Sequence, residues 1–144
     1  MNHFQIDDLG RATMVGFGVR TLLISTAGPL GAVGRKLAAL GCVIDCATEL
    51  FAGLDSVFDD PTFYGLVVID CDSAGGLAAG LRAHAMLEVT QRCLPVILIS
   101  AECGQQSFPE SRYEPTLLRA PLSAISLRVG FEHALRERLL AQAS

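Results

Sequence analysis

FYGLVVIDCDSAGG, residues 63–76, is the stretch of sequence that decides the fold. It begins with a run of apolar residues, reaches a carboxylate at Asp70 and continues into a loop of small residues. A run that is apolar at every position is typical of a parallel strand covered on both faces of its sheet. We therefore predict a buried parallel strand over residues 64–70, and the acidic side chain at its end needs an explanation.

Strands and helices alternate on both sides of this segment. Apolar runs predict four more strands, at residues 19–25, 42–48, 94–100 and 115–121. Helical spacing of apolar residues predicts helices at residues 28–41, 49–60, 76–89 and 123–142. This alternation predicts an α/β fold, a doubly wound five-stranded parallel sheet with helices on both faces. Ligands of such sheets bind beyond the carboxyl ends of the strands, where Asp70 is expected.

Two parts of the chain depart from the alternation. Residues 101–114 should hold a helix, but they have little apolar periodicity and contain Pro109, so we predict one or two helical turns at most. Residues 1–18 show no clear pattern and are predicted to form an N-terminal arm. The domain itself is predicted to span residues 19–140.

The composition excludes several classes of protein. The chain carries a net charge of −4 and no basic run, which argues against binding to nucleic acid. Its five cysteines are odd in number and form no CxxC motif, so neither a disulfide framework nor a zinc site is expected. No signal peptide and no apolar run long enough for a bilayer is present, so we expect a cytoplasmic protein without a membrane partner. Only 18% of the residues are charged, which predicts an exposed apolar patch and a protein partner.

The ends of three predicted strands resemble the receiver domain of bacterial response regulators, the CheY-like family with a flavodoxin-like fold. In that family the third strand ends on the aspartate that accepts a phosphoryl group from a histidine kinase, and Asp70 matches it. The fourth strand of a receiver ends on Ser or Thr followed by Ala, and the fifth on Lys-Pro. The matching pairs here are Ser100 with Ala101 and Ala120 with Pro121.

The departures from the family fall on its chemistry. Receivers follow their first strand with a pair of acids that hold Mg²⁺, and the matching stretch here offers Ser25 and Thr26. The lysine is replaced by Ala120, and Arg119 is expected to face the other way because neighbouring strand residues alternate. Asp72 is also expected to point away from Asp70 if the strand continues. The resemblance thus implies a degenerate pseudo-receiver whose vestigial pocket consists of Ser25, Thr26, Ser100, Ala101, Ala120 and Pro121.

Three functions remain open after these substitutions. The first is a non-catalytic signalling module that acts by protein–protein contact, without a metal or cofactor. The second is a true receiver of a two-component phosphorelay, phosphorylated on Asp70 despite the losses. The third is a sensor that binds a small ligand in the vacated pocket. The sequence favours a purely structural role for Asp70, accepting hydrogen bonds from backbone N–H groups of the next loop, over phosphorylation.

The predicted last helix carries more apolar residues than one buried stripe needs. They spread over more than the ~100° that faces a core, so some apolar surface should be left over. In receivers the last helix belongs to the usual dimer face, and the weak helix before the fifth strand should expose that side further. We therefore predict a homodimer that is independent of phosphorylation, through an interface that includes Ile125, Val129 and Leu139.

Overall fold

The computed structural model describes residues 16–90, 94–111 and 113–136, which form one five-stranded parallel sheet. The strands run in the order β2-β1-β3-β4-β5, and every neighbouring pair is parallel. β2 lies on one side of β1, and the later strands lie on its other side, beginning with β3. The carboxyl ends of β1 and β3 therefore form the switch point of the sheet. The strands are β1 (Arg20–Ile24), β2 (Val43–Ala47), β3 (Leu66–Asp70), β4 (Val96–Ser100) and β5 (Thr116–Arg119).

Within the described residues, four helices cover the two faces of the sheet, and the predicted fold class is confirmed. A 3₁₀ turn, Cys71–Ser73, follows β3 directly. The side chain of Ser123 caps the last helix by accepting a hydrogen bond from the backbone N–H of Ser126. The helices are α1 (Ala32–Ala39), α2 (Leu50–Asp59), α3 (Leu77–Thr90) and α4 (Ala124–Ala134).

The core lies in two layers, one on each side of the sheet. Successive residues of β3 alternate between them: Leu66 and Val68 join the cluster under α1 and α4, whereas Val67 and Ile69 join the cluster under α2 and α3. A strand buried on both faces must be apolar at every position, which is why residues 66–69 could be recognised from the sequence.

The connection between β4 and β5 contains no helix within residues 101–111 and 113–115, in agreement with the sequence. Ser107 forms an antiparallel bridge with Leu117 of β5 instead, with two backbone hydrogen bonds of 2.9 Å. Phe108 packs against the core, and its ring meets the ring of His133 on α4 edge-on at 5.9 Å. The expectation that a missing helix exposes the side of β5 is therefore wrong, because this segment covers it.

The beginning of the described chain packs against the domain. The backbone N–H of Gly16 donates to the carbonyl of Leu40, and a Cβ atom at position 16 would lie 2.8 Å from the ring of Phe131. Residues 1–15 lie outside the described part, so the division into an arm over residues 1–18 and a domain over residues 19–140 stays a prediction. Within the described residues, no helix combines the length and the apolar character needed to cross a membrane.

Candidate functional site

The residues predicted to form the vestigial pocket lie along the carboxyl edge of the sheet. Ser25 follows β1, Asp70 ends β3, and Ser100 ends β4. Ala120 follows β5, and its backbone N–H donates to the carbonyl of Ser100 at 3.1 Å. The fold thus places these side chains at the ends of neighbouring strands on both sides of the switch point.

The centre of this edge is a hydrogen bond between Ser25 and Asp70. The Ser25 hydroxyl, which is buried, donates to the Oδ2 atom of Asp70 at 2.8 Å and accepts from the backbone N–H of Ala27 at 3.2 Å. The hydrogen bond described for the Asp70 carboxylate therefore comes from the side chain of Ser25, after the neighbouring strand β1. It does not come from the backbone of the loop that follows Asp70. A neutral hydroxyl contacts Asp70 where the receiver resemblance implies an acid.

Ser73 ties the loop after β1 to the turn after β3. Its hydroxyl donates to the carbonyl of Asp70 at 3.0 Å and accepts from the backbone N–H of Thr26 at 3.2 Å. The side chain of Thr26 is exposed, so of the two hydroxyl residues after β1 it is Ser25 that contacts Asp70. Ser73 is not among the residues predicted for this site, although a serine in a small-residue turn is a common partner for nearby backbone groups.

The expectation that Asp72 points away from Asp70 does not apply, because its condition is not met. That prediction assumed that the strand continues, whereas it ends at Asp70 and the 3₁₀ turn redirects the chain. The Asp72 carboxylate accepts hydrogen bonds from the hydroxyl of Ser100 and from the backbone N–H of Ala101 at 2.8 Å. Ser100 and Ala101 therefore pair with Asp72, which joins the end of β4 to the turn after β3.

The position of the receiver lysine carries no cationic side chain. Ala120 occupies it, and the Ala120–Pro121 peptide bond is cis. The neighbouring Arg119 donates from Nε to the carbonyl of Cys103 at 3.0 Å, so its guanidinium binds the loop that follows β4. Lys36, the only lysine of the sequence, lies in the last turn of α1.

The oxygen atoms at this edge do not fit Mg²⁺. Mg²⁺ requires near-octahedral oxygen ligands and is usually anchored by one or two carboxylates. Here Asp70 is engaged by a hydroxyl, and Asp72 is engaged by Ser100 and Ala101. Within residues 16–90, 94–111 and 113–136, no three His, Cys, Asp or Glu side chains converge as a metal site would require.

Two cysteines near this edge are held as thiols. Burial raises the pKa of Cys71 to about 12, and the negative charge of Asp72 adds to this effect. Burial likewise raises the pKa of Cys103 above its usual value. Because the thiolate is the reactive form of cysteine, neither residue is prepared for nucleophilic chemistry.

The predicted interface residues of α4 lie on the outside of the molecule. Ile125 is 78% exposed and Val129 is 46% exposed, whereas Leu127 and Phe131 on the opposite face are buried in the core. Leu139, the third predicted interface residue, lies outside the described residues. The described part of α4 therefore leaves two large apolar side chains in water.

Comparisons with known proteins identify the fold. No protein-family model and no curated protein matches the chain. Among solved structures, a response regulator receiver domain protein from Clostridium thermocellum superposes with a TM-score of 0.66 and 16% identity, over 85% of this chain and 98% of that chain. The receiver domain of NtrX from Brucella abortus superposes with a TM-score of 0.60 and 20% identity, over 81% of this chain and 98% of that chain.

A longer protein is also similar. The response regulator PhyR from Brucella abortus has a TM-score of 0.62 and 19% identity, and the match covers 96% of this chain and 57% of that chain. This chain therefore corresponds to little more than half of PhyR. Superpositions at such low identities establish the fold alone. It is the flavodoxin-like fold of receiver domains that was predicted from the sequence.

Proposed function

We propose that this receiver fold serves as a non-catalytic signalling module, which works in the cytoplasm by protein–protein contact. In this proposal Asp70 does not carry a Mg²⁺-dependent aspartyl phosphate. The observation that carries the proposal is the hydrogen bond from the buried hydroxyl of Ser25 to the Asp70 carboxylate. A neutral donor thus occupies the position from which a receiver would supply a second acid to the metal.

The chemistry of phosphoryl transfer supports this proposal. The protein contributes to that reaction mainly by positioning the groups and by neutralising the charge that develops on the phosphoryl oxygens. At this edge the carboxylates of Asp70 and Asp72 are already hydrogen-bonded within the protein, and Ala120 offers no cation. A phosphoryl group on Asp70 would therefore carry its negative charge without a partner for it.

Action by protein contact has support from the surface and from one of the similar structures. Large apolar side chains are exposed on α2, α3 and α4, and neighbouring exposed apolar residues can mark interaction sites. PhyR from Bartonella quintana, which superposes with a TM-score of 0.59 and 17% identity, is described as an anti-anti-sigma factor. That description names a protein that acts on other proteins, and by analogy it favours a protein partner for this chain.

We expect Asp70 to remain unmodified when the protein is incubated with Mg²⁺ and acetyl phosphate. Intact-mass spectrometry should then show no species heavier by one phosphoryl group, because Ser25 stands in place of an acid that would hold Mg²⁺ and Ala120 in place of the lysine. Asp70→Asn and Asp72→Asn are the matched variants. A phosphoryl adduct that Asp70→Asn abolishes and Asp72→Asn retains would refute the proposal and would make the chain a true receiver.

We also propose a homodimer that forms through α4 without phosphorylation. Ile125 and Val129 support it, because they place apolar surface next to each other on the outer face of that helix. Leu139 belongs to the same proposal from its position in the sequence. A stable dimer would bury at least about 1,000 Å² in total, so it must also use surface beyond these side chains.

Light scattering at micromolar concentration is expected to give the mass of a dimer. The double substitution Ile125→Glu and Val129→Glu should reduce it to that of a monomer, because four like charges would be brought together at a two-fold interface. Leu30→Glu, at an exposed apolar residue before α1, is the control and should leave the dimer intact. A monomeric wild-type protein would exclude the dimer, and a dimer that survives the double substitution would place the interface elsewhere.

A further inference from the structure

A groove between α2 and α3 lies on the face of the sheet opposite to α1 and α4. Its volume is about 560 Å³, and Thr26 and Ser73 line the end that reaches the carboxyl edge of the sheet. The groove therefore adjoins the carboxyl edge and shares Thr26 and Ser73 with it, but most of its lining comes from α2 and α3. None of the functions considered above for the carboxyl edge uses it.

Small residues on α3 create the hollow. Ala79 and Ala83 line it from α3, and Leu54 lines it from α2. Larger side chains lie at its rims, where Phe51 is 64% exposed and Met86 is 44% exposed. Exposed Phe and Met beside a groove are typical of surfaces that accept apolar side chains of a partner.

The apolar surface continues beyond the groove along α3. Ala79, Arg82, Met86 and Val89 follow each other at helical spacing on the side of α3 that faces the groove and the solvent above it. Val89 is 83% exposed, the most exposed of the large apolar side chains in the described part of the chain. A small ligand within the groove would leave Val89 in water, so the extent of the surface favours a longer partner.

The charges along this surface favour an acidic partner. Arg82 lines the groove and has no ion-pair partner among residues 16–90, 94–111 and 113–136. Glu49 also lines the groove, but its two carboxylate oxygens accept from the backbone N–H groups of Phe51 and Ala52 at the start of α2. Glu49 is thus held at the start of α2 without an ion pair to Arg82, and the Arg82 guanidinium can pair with a group from outside.

We propose that this α2–α3 surface, formed by Phe51, Leu54, Ala79, Arg82, Met86 and Val89, binds an amphipathic helix of a partner protein. The apolar face of that helix would lie in the groove, and an acidic residue at its border would pair with Arg82. The surface of two neighbouring helices can receive a third helix by ridges-into-grooves packing. The inference rests on the proposed function, because it names the kind of partner that a contact-based signalling module would use.

Two synthetic peptides test the helix and its charge. Both have about 18 residues, long enough to form a helix on the surface, and carry leucines along one face. One peptide has glutamate at the border of the apolar face, and the other has lysine at the same positions. Fluorescence anisotropy with the wild-type domain should show that the acidic peptide binds about three- to tenfold more tightly than the basic one.

Three variants place the binding site. Arg82→Glu should reverse the preference between the two peptides, whereas Arg35→Glu on α1 makes the same change in net charge away from the groove and should retain it. Ala79→Phe fills the groove and should weaken both peptides at least tenfold. Circular dichroism melts would show that each variant is folded before its affinity is interpreted.

The possible results separate this inference from the proposed function. Equal affinities for the two peptides, or no effect of Arg82→Glu, would overturn the α2–α3 surface as an acidic-helix site. Binding of decanoate in the groove without binding of either peptide would overturn it in favour of a small carboxylate ligand. If Asp70 takes up phosphate while the peptide preference is retained, the proposed function fails and the surface stands. If Asp70 stays unmodified and no peptide binds, the surface alone fails.

Discussion

Replacing Ser25 by aspartate is expected to lower the free energy of unfolding by about 2–4 kcal/mol at neutral pH in the absence of divalent cations. The Ser25 hydroxyl donates to the Asp70 carboxylate at 2.8 Å and is buried, so the substitution would bring two carboxylates together in a site with little water. Like charges raise the pKa of such a pair in the folded state, and the lost stability should return as the pH falls and one carboxyl takes up a proton.

The same variant should acquire a response to Mg²⁺ that the wild-type protein lacks. Two adjacent carboxylates are a better anchor for a hard cation than one carboxylate and a hydroxyl, and binding to the folded state stabilises it by mass action. We therefore expect about 10 mM Mg²⁺ to raise the melting temperature of Ser25→Asp by several degrees and to leave the wild type unchanged. Ser25→Asn, similar in size but neutral, is the matched control. A wild-type protein that Mg²⁺ stabilises, with the effect lost in Asp70→Ala, would show that the original edge binds the metal.

Phe131→Ala is expected to lower the free energy of unfolding by about 3–5 kcal/mol. Phe131 is 0% exposed and belongs to the core layer under α1 and α4. Its ring also lies close to Gly16, so removal of the ring would leave a cavity between α4 and the entry into β1. The surrounding sheet residues cannot collapse fully into that space, since they are fixed by their ladder hydrogen bonds.

Urea unfolding at one fixed protein concentration measures this effect and keeps any contribution from dimerisation comparable. Leu30→Ala is the control, because it also removes a large apolar side chain, but from a residue that is exposed to solvent. The change in the control should stay within about 0.5 kcal/mol. A cost for Phe131→Ala no larger than that of the control would mean that the packing around α4 is not as described.

Much of the fold could be predicted because it depends on local signals. Val67 and Val68 face opposite core layers, and such strands leave an unbroken apolar run in the sequence. Ser123 was identifiable as the start of α4 because its side chain caps the helix within three residues. The edge of the sheet that collects Asp70, Ser25 and Ser100 followed from the topology alone, since parallel strands share their carboxyl ends.

The parts that could not be predicted depend on contacts between distant residues. The direction of Asp72 is set by the 3₁₀ turn and by its bonds to Ser100 and Ala101, almost thirty positions along the chain. The covering of β5 by Ser107 likewise results from a backbone pairing across a loop. Neither leaves a periodic pattern, so a sequence analysis that depends on periodicity overlooks them.

The bridge between Ser107 and Leu117 has a consequence for solubility. An outer strand with free amide and carbonyl groups is a template to which strands of other molecules can add, the first step towards aggregates and fibrils. Here the N–H and carbonyl groups of Leu117 are already paired with Ser107, and Gln106 accepts from the backbone N–H of Arg119. The segment that replaces a helix thus covers the outer edge of β5 at Leu117 and hinders the addition of a strand from another molecule there.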